Sequence, residues 1–394
     1  MWHWPAVGVA RCYEAGLSQY MTEKFQAGLE VTTDYSGLGT GEVALSHIRT
    51  AADRFGLTVM DTQLGSGSLS FCSATECSDA CREILLAHEG HPSLPDCIFG
   101  DIREKVHAHG REEVGEVWKA FRLRYSYQVR NGVPHAQAAS SLGKEFMRQA
   151  WSTLQVSKTR DGIPETSHCY RHGRQCPLRK STTKGAIKGN ISGPTCVDFS
   201  ILGDRMGWLG EHAKTFACWL FYHAEIEADD WIILENVDNF DESVVYQLVS
   251  SQYSVLVLHL DPRNFGFPVS RSRKYLLLLR RNGRLAWCPE IEMDPTTAFE
   301  KLFRRPLNMD GRIFFCAPDS VVASFHKDMA RKKHLPETQP NGKPWQAKLL
   351  MNQTTRNRVR EWEEKLGLSA VLVDQSEPSL FLPLPSRSQG RSPT

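Results

Sequence analysis

The chain has 394 residues, of which 41% are hydrophobic and 23% are charged, and its formal net charge is +2. These values are typical of a globular protein with one large and one smaller domain, and they exclude a polycation that would bind nucleic acid along its whole length. The eleven cysteines lack the regular spacing of a disulfide framework, the first residues show no signal-peptide pattern, and no apolar run reaches the ~20 residues of a membrane span. We therefore predict a nuclear or cytoplasmic protein with no membrane segment and with most thiols free.

Composition and pattern divide the chain into four segments. We predict an N-terminal leader with one short amphipathic helix over 1–28, a large α/β domain over 29–281, a small divergent region over 282–366, and a largely disordered tail over 367–394. The tail is rich in Pro, Ser and Arg, which cannot bury enough apolar surface to fold.

A glycine-rich turn follows the first predicted strand, which covers 29–33. The turn begins Asp34-Tyr35-Ser36-Gly37-Leu38-Gly39 and leads into a helical pattern. Strand, glycine turn and helix form the first unit of a Rossmann-like fold, because glycine lets the backbone turn tightly and approach a ligand. An ordinary turn without a ligand remains the alternative.

Two further strands end in acidic residues. The second, over 69–74, is followed by Glu76, and an acid at this place holds ribose hydroxyls in Rossmann-like folds. The alternative is a carboxylate that only stabilises the start of a helix. The third strand, over 96–99, is followed by Asp101 and Ile102.

A basic insert over 103–190 comes next, with 17 Lys and Arg against 7 Asp and Glu. We predict helices over 114–125 and 136–154 within it, because a structureless loop of this length would be unusual. The charge suits a polyanionic partner, and a solvated surface insert is the alternative.

The end of the insert carries a possible metal-binding pattern. Cys169, His172 and Cys176 have the spacing Cys-x-x-His-x-x-x-Cys, and His168 is a possible fourth ligand. The alternative is a basic loop that faces nucleic acid and contains buried cysteines. We therefore treat the three residues as weak metal candidates and predict no metal.

Three later stretches carry reactive side chains. The loop Gly193-Pro194-Thr195-Cys196 presents a thiol, the strand over 231–237 contains Glu235, and Arg271 and Arg273 precede the strand over 274–279. A loop thiol, a strand-end carboxylate and paired guanidinium groups are the parts needed to attack an electron-poor heteroaromatic ring.

The remaining elements complete an α/β pattern. We predict helices over 210–224 and 244–250 and a strand over 254–260. Continuous apolar strands that alternate with helices indicate a parallel sheet covered on both faces, which is the Rossmann-like α/β class.

These motifs resemble those of the C5-cytosine-specific DNA methyltransferase family. The family's nucleophile loop, Gly-Pro-Pro-Cys-x-x-Phe-Ser, corresponds to 193–200, and its glycine loop, Asp-x-Phe-x-Gly-x-Gly-Gly, corresponds to the turn that begins at Asp34. Six such elements follow the family's order over 34–281. The resemblance implies the fold of S-adenosylmethionine-dependent methyltransferases, with a target-recognition region within 282–366.

The resemblance also implies residue roles. Cys196 would be the nucleophile, Glu235 would contact N3 and the exocyclic amine of a flipped-out cytosine in DNA, and Arg271 and Arg273 would hold its O2 side. The cofactor would be S-adenosylmethionine. Its implied contacts are Asp34, Tyr35, Ser36, Gly37, Gly39, Glu76, Asp101, Ile102 and Pro194.

The sequence departs from the family's pattern at three places. Thr195 replaces the second proline, Val269 replaces a glutamine, and the closing Gly-Asn-Ser/Ala-Val segment is not found. Two alternatives therefore stay open, which are methylation of cytosine in RNA such as transfer RNA, and a catalytically silent regulator that binds nucleic acid. The motifs do not specify the oligomeric state.

Overall fold

The computed structural model describes residues 4–56, 69–91, 93–178, 185–200, 203–267, 269–285, 294–306 and 319–339, together with 353 and 357. The chain forms two compact units, Met1–Met309 and Asp310–Thr394. The strands of the first unit are β1 (Leu29–Asp34), β2 (Leu69–Thr75), β3 (Cys97–Phe99), β4 (Thr166–Cys169), β5 (Arg174–Pro177), β6 (Ile187–Ser192), β7 (Trp231–Asn236), β8 (Tyr253–Leu260) and β9 (Arg273–Arg280). Its helices are α1 (Trp4–Glu14), α2 (Ser18–Ala27), α3 (Thr40–Arg54), α4 (Asp79–Leu86), α5 (Ala108–Arg130), α6 (His135–Asp161), α7 (Ala213–Phe221), α8 (Ser243–Val249) and α9 (Pro295–Phe303).

Seven strands form the central sheet in the order β3-β2-β1-β6-β7-β9-β8. The predicted Rossmann-like α/β fold class is confirmed. The prediction of a wholly parallel sheet is wrong at one end, because β9 runs antiparallel to both β7 and β8. The described part of the connection from β8 to β9 contains a short 3-10 turn, Pro262–Asn264, and no α-helix of the kind that usually carries a parallel crossover.

Both faces of the sheet are covered, which explains the continuous apolar strands. In β9, Leu276 and Leu278 point into the larger core, whereas Leu277 and Leu279 pack in a second core on the opposite face. Side chains alternate between the faces along a strand, so a strand buried on both sides is apolar at every position.

The basic insert contributes to the larger core. Helices α5 and α6 are longer than the predicted segments, and they contact each other through Phe121 and Phe146, whose ring centroids lie 6.1 Å apart. Trp151 of α6 meets Phe221 of α7 edge to face, with centroids 5.2 Å apart. These buried contacts show that the insert's helices are more than a solvated surface loop.

Strand β6 lies in the centre of the sheet but was not predicted from the sequence. Its interior reads Lys188-Gly189-Asn190, which has no apolar alternation. Gly189 lies opposite Trp231 of β7, and a Cβ atom at this position would overlap the indole ring. Asn190 is buried and donates to Thr32 Oγ1 over 2.9 Å, so its polar group is satisfied.

The leader contains two helices, α1 and α2, instead of the single predicted helix. Arg11 Nη1 donates to the carbonyl oxygens of Leu302 and Arg304, at 2.9 and 2.8 Å, and so attaches α1 to the end of α9. Gly8 of α1 lies against the ring of Phe303. The leader is therefore packed on the first unit.

Little of the second unit is described. Its helix α10 (Asp319–Lys332) ends in a turn in which the amide of Leu335 donates to Ala330 O. Residues 340–394 lie outside the described residues apart from 353 and 357, so the end of the predicted small region and the whole of the predicted tail are not described. None of the helices in the described ranges has the length and apolar character that crossing a membrane requires.

Candidate active site

The predicted site residues gather at one edge of the sheet. Strands β1, β2, β3, β6 and β7 run parallel, so their carboxyl ends meet there, and a predicted motif follows each of them. Ligands of open α/β sheets bind at this edge. A cavity lies between the loops, and its wall includes five of the predicted cofactor residues, namely Tyr35, Glu76, Asp101, Ile102 and Pro194.

The glycine loop after β1 adopts left-handed backbone angles. The φ angles of Gly37 and Gly39 are +56° and +83°, which glycine adopts without strain. Tyr35 also has a positive φ, +53°, which is uncommon for a bulky residue and indicates a strained backbone at the cavity. Burial and the negative charge of Asp34 raise the pKa of the Tyr35 phenol well above its usual value, so the ring stays neutral.

Glu76 joins the glycine loop to the end of β2. Its Oε2 accepts from the amide of Gly37 at 2.7 Å, and its Oε1 accepts from the amide of Ser78 at 2.8 Å. The amide of Ser36 donates to Thr75 O over 3.2 Å and closes the same junction. Each carboxylate oxygen has a second acceptor position, so Glu76 can also accept from the hydroxyls of a ligand.

Asp101 follows β3 and caps a short 3-10 helix, Ile102–Lys105. It accepts from the amide of Arg103 at 2.9 Å and pairs with the guanidinium, with 2.6 Å between Arg103 Nη2 and Asp101 Oδ2. Burial would raise the pKa of Asp101, but the bonds from Arg103 outweigh it, and the pKa is lowered. Asp101 is therefore an anion in the cavity wall, and both of its oxygens accept hydrogen bonds from Arg103.

Asp34 lies in a different environment from the one expected of a cofactor contact. Its carboxylate is buried, with Lys105 Nζ 2.6 Å from Oδ1 and His223 Nε2 bonded to Oδ2. Burial would raise the pKa of Asp34, but the charges of Lys105 and His223 lower it well below the usual range. Asp34 therefore anchors the base of the glycine loop from inside the protein.

The cavity suits a cofactor with an apolar ring and several polar groups. The hydroxyl of Thr75 lies buried in the cavity wall, and within the described ranges it has no hydrogen-bond partner. A buried hydroxyl without a partner costs free energy that a bound polar group would recover. The opposite wall is aromatic and consists of Phe199, Trp208, Phe216 and Phe240. S-adenosylmethionine fits this combination.

The predicted nucleophile loop leaves β6 at Gly193. The amides of Phe199 and Ser200 donate to the carbonyl of Cys196, at 3.0 and 2.8 Å, and fold the loop into a tight turn around the half-buried cysteine. Asn236, at the end of β7, donates through Nδ2 to the carbonyl of Pro194 over 3.1 Å. This bond ties the thiol loop to the neighbouring strand.

Glu235 and Arg273 form an ion pair beside that loop. Arg273 Nε lies 2.8 Å from Glu235 Oε1, and both side chains are partly exposed. Glu235 Oε2 faces Gly193, where a Cβ atom would lie 3.4 Å from the oxygen. Arg271 is exposed, two residues before the start of β9, and the structure gives it no closer placement at the site. The thiol loop, the acid and Arg273 are thus brought together.

Sequence reasoning missed several residues of the site. Asp198 is buried in the cavity wall. Its Oδ2 accepts from the backbone amide of His212 at 3.1 Å and lies 3.2 Å from His212 Nδ1. Asn236 and Arg103 were also missed. Asp198 stands within the quoted nucleophile motif, and Asn236 follows Glu235 directly, so both were visible as polar residues next to predicted ones.

The weak metal candidates do lie together. Cys169, His172 and Cys176 form one group with Cys97, and ligand atoms of these four residues all lie within 4.8 Å of one another. The possible fourth ligand considered above, His168, is not in this group. It is exposed on the face of β4 opposite to Cys169, because neighbouring residues of a strand point to opposite sides.

Comparison with known proteins finds similarity at the level of structure. No protein-family model and no curated protein matches the chain. Solved structures that resemble it include the Dnmt2 methyltransferase of S. pombe (16% identity, TM-score 0.32), a mutant DNMT2 of Spodoptera frugiperda (14%, 0.33) and the methyltransferase EhMeth of Entamoeba histolytica (11%, 0.30). The matches cover 67%, 68% and 64% of this chain, and the chain spans about half of each solved structure, 52%, 54% and 53% respectively.

Proposed function

We propose that this protein transfers a methyl group from S-adenosylmethionine to C5 of cytosine in nucleic acid, with DNA as the expected substrate. The observation that carries the proposal is the 3.1 Å hydrogen bond from Asn236 Nδ2 to the carbonyl of Pro194. It holds the end of the strand that bears Glu235 against the loop that bears Cys196. The loop that bears the thiol and the strand end that bears the acid come from distant parts of the chain and are joined by this bond at one cavity, whose lining includes Pro194 and Asn236.

The residues around the cavity support S-adenosylmethionine as the methyl donor. When bound, this cofactor supplies an electrophilic methyl group on a sulfonium sulfur. Glu76 would accept hydrogen bonds from the ribose hydroxyls, the neutral ring of Tyr35 would cover the adenine, and Asp101 would accept from the adenine amine. The aromatic wall would exclude water from the reacting atoms.

Cys196 and Glu235 would activate the target base. Cytosine C5 is a poor nucleophile until the Cys196 thiolate adds to C6 and Glu235 gives a proton to N3, which makes C5 part of an enamine. C5 would then accept the methyl group, and N3 would return its proton to Glu235. A base would remove the C5 proton, and the Cys196 thiolate would leave as the ring double bond returns. Arg273, paired with Glu235, would orient both the acid and the O2 side of the base. Arg271, two residues earlier in the chain, is proposed to share the contact with O2.

The substrate class follows from access and charge. A cytosine inside a duplex cannot reach a thiol in a loop, so the nucleotide must be flipped out of the stack. The excess of basic residues over 103–190, 17 against 7 acidic ones, supports a polyanionic substrate. DNA and RNA share this charge, so the experiment compares the two.

Covalent trapping tests the proposal. The full chain is incubated with S-adenosylmethionine and a duplex DNA that carries 5-fluorocytosine, because fluorine cannot leave as the proton does and the enzyme stays attached. We expect a denaturation-resistant adduct with the wild type and with Cys72→Ala, a control cysteine of similar partial burial, and none with Cys196→Ala.

Other outcomes would change the assignment. An adduct that forms only with the matching RNA would move the substrate to RNA. A folded wild-type chain that binds both nucleic acids but forms no adduct would contradict the proposal and indicate a catalytically silent binding protein.

A further inference from the structure

A second group of reactive side chains lies away from the cavity, at the outer edge of the sheet. It contains three cysteine sulfurs, from Cys97, Cys169 and Cys176, and the ring of His172. His172 Nδ1 lies 3.4 Å from Cys169 Sγ, 3.4 Å from Cys176 Sγ and 3.8 Å from Cys97 Sγ. A single ring nitrogen can make one hydrogen bond along its axis, so hydrogen bonding alone does not account for three sulfurs around it.

The distances match those between ligands of a tetrahedral metal ion. With Zn–S bonds of about 2.3 Å and Zn–N bonds of about 2.0 Å, the sulfur and nitrogen ligands of a tetrahedral zinc ion lie about 3.5 Å apart. Three cysteines and one histidine are a common ligand set of closed structural zinc sites, and Cys169-x-x-His172-x-x-x-Cys176 has a usual spacing. We infer that Cys97, Cys169, His172 and Cys176 form a structural zinc site.

The β4–β5 hairpin prepares three of the ligands. Cys169 ends β4, Cys176 lies in β5, and the turn between them presents His172. Ser167 lies opposite Cys176 in the hairpin and is buried, like Cys169, so β4 turns this face toward the cluster. The hairpin therefore places Cys169, His172 and Cys176 together through local structure alone.

Cys97 brings the fourth ligand from the central sheet. It begins β3, and the hairpin is attached to this strand by the amide of Tyr170, which donates to Ile98 O at 2.7 Å. All three cysteines are almost fully buried, with exposed fractions of 2% for Cys97, 0% for Cys169 and 5% for Cys176, whereas His172 is exposed, so a metal there would be shielded from solvent on the side of its sulfur ligands. Burying the negative charge of thiolates costs free energy, and the positive charge of a zinc ion would offset that cost.

The inferred zinc would fasten the insert's hairpin to the edge of the sheet. Gly100 and Asp101 follow β3 directly and line the cavity, and Gly100 lies against the ring of Tyr170. The metal site would therefore support the cavity wall from behind without taking part in the reaction. This role does not depend on the proposed methyl transfer.

Metal analysis of the full chain tests the inference. After expression with added zinc and desalting, elemental analysis of the wild type should give close to one zinc ion per chain, as a single closed site requires. Cys97→Ser and the double variant Cys169→Ser/Cys176→Ser should lose most of the zinc. Cys218→Ser should keep it, because Cys218 is equally buried but lies outside the group.

A spectrum of the wild type decides the case even if the variants fail to fold. Cobalt exchanged for zinc should show the visible bands of a tetrahedral ion and the charge-transfer bands of thiolate ligands. The exchange should leave methyl-transfer activity unchanged, because the metal takes no part in the reaction. A folded wild type that contains no zinc, that contains iron in its place, or in which mass spectrometry finds two of the three cysteines joined in a disulfide would overturn the inference. Equal zinc contents in the wild type and Cys97→Ser would also overturn it.

Discussion

Asn236 has no role in the proposed chemistry, but it fixes the position of the thiol loop relative to β7. Its Nδ2 group is the link between β7 and the thiol loop, and its Oδ1 accepts from the amide of Val237 at 2.9 Å. In Asn236→Ala the buried carbonyl of Pro194 loses its donor, and the loop can move away from Glu235. A displacement of ~1 Å can cost about 100-fold in rate, so we expect a 10- to 100-fold slower single-turnover methyl transfer.

The measurement is transfer of labelled methyl groups to DNA with enzyme in excess. Binding of S-adenosylmethionine should weaken less than the rate falls, because Pro194 is one of several predicted cofactor residues in the cavity wall, and Glu76 and Asp101 are held by other bonds. Asn264→Ala is a matched control, since Asn264 also donates through Nδ2, to Glu300 Oε1 at 2.7 Å, but lies outside the site. Equal rates in wild type and Asn236→Ala would contradict the positioning role.

His223 should give the stability of the protein a specific pH dependence. It is buried between Asp34 and Asp229, with 2.7 Å from Nδ1 to Asp229 Oδ2. Burial would lower the pKa of His223, but the two carboxylates raise it above 6.5. A histidine whose pKa rises on folding adds stability that is complete below its unfolded pKa and is lost as pH rises through the folded pKa.

We therefore expect His223→Gln to lower the free energy of unfolding most in mildly acidic solution and less as pH rises past the folded pKa of His223. At the acidic end of the range, Asp34 limits the stability of the protein. Its pKa is lowered by folding, so it stabilises the protein fully above pH 3.8, and this stability is lost as the pH falls further. Denaturant titrations over a pH series measure the difference. Exposed His168→Gln is the control, and a deficit in His223→Gln that stays constant with pH would argue against a charged His223.

At the scale of elements, the packing of β6 beside β7 depends on a glycine, Gly189. A Cβ atom on Gly189 would overlap the indole of Trp231, whereas a Cβ atom on Gly115, within α5, would meet no atom within 4 Å. We expect Gly189→Ala to destabilise the protein by about 3 kcal/mol through overpacking, and Gly115→Ala to stabilise it by about 0.5–1 kcal/mol through helix propensity. Urea titrations of both variants give the two values, and a harmless Gly189→Ala would show that Trp231 can move aside.

The same elements show what the sequence could and could not reveal. Strands β1, β2 and β7 were predictable, because β1 and β2 alternate apolar and polar residues, β7 begins with an apolar run, and a polar motif ends or follows each strand. Strand β6 was not, because its polar and glycine residues are satisfied only by distant partners such as Thr32 and Trp231. Local pattern carries no information about such contacts.

Long-range geometry accounts for the other differences. The direction of β9 depends on how the chain returns after β8, and the contact between Cys97 and His172 joins residues 75 positions apart. Asp34 looked like a cofactor contact from its place in the glycine loop, and only the fold shows that Lys105 and His223 draw it inward.

At the scale of the whole molecule, the described site lies within the first unit, from Tyr35 to Arg273, and that unit ends at Met309. The predicted target-recognition region, 282–366, extends mostly beyond this point. We expect a chain truncated after Met309 to fold and to bind S-adenosylmethionine as tightly as the full chain. Its affinity for duplex DNA should fall at least about 10-fold, which corresponds to about 1.4 kcal/mol.

Calorimetric titration with the cofactor and a fluorescence assay with labelled DNA separate the two effects. Circular dichroism shows whether the truncated chain is folded, so a loss of binding cannot be confused with unfolding. If the folded truncated chain lost the cofactor, the closing segment that the sequence motifs lack would have to be supplied by residues after Met309. If it kept full affinity for DNA, recognition of the duplex would belong to the first unit, where the basic insert is the segment with the required charge.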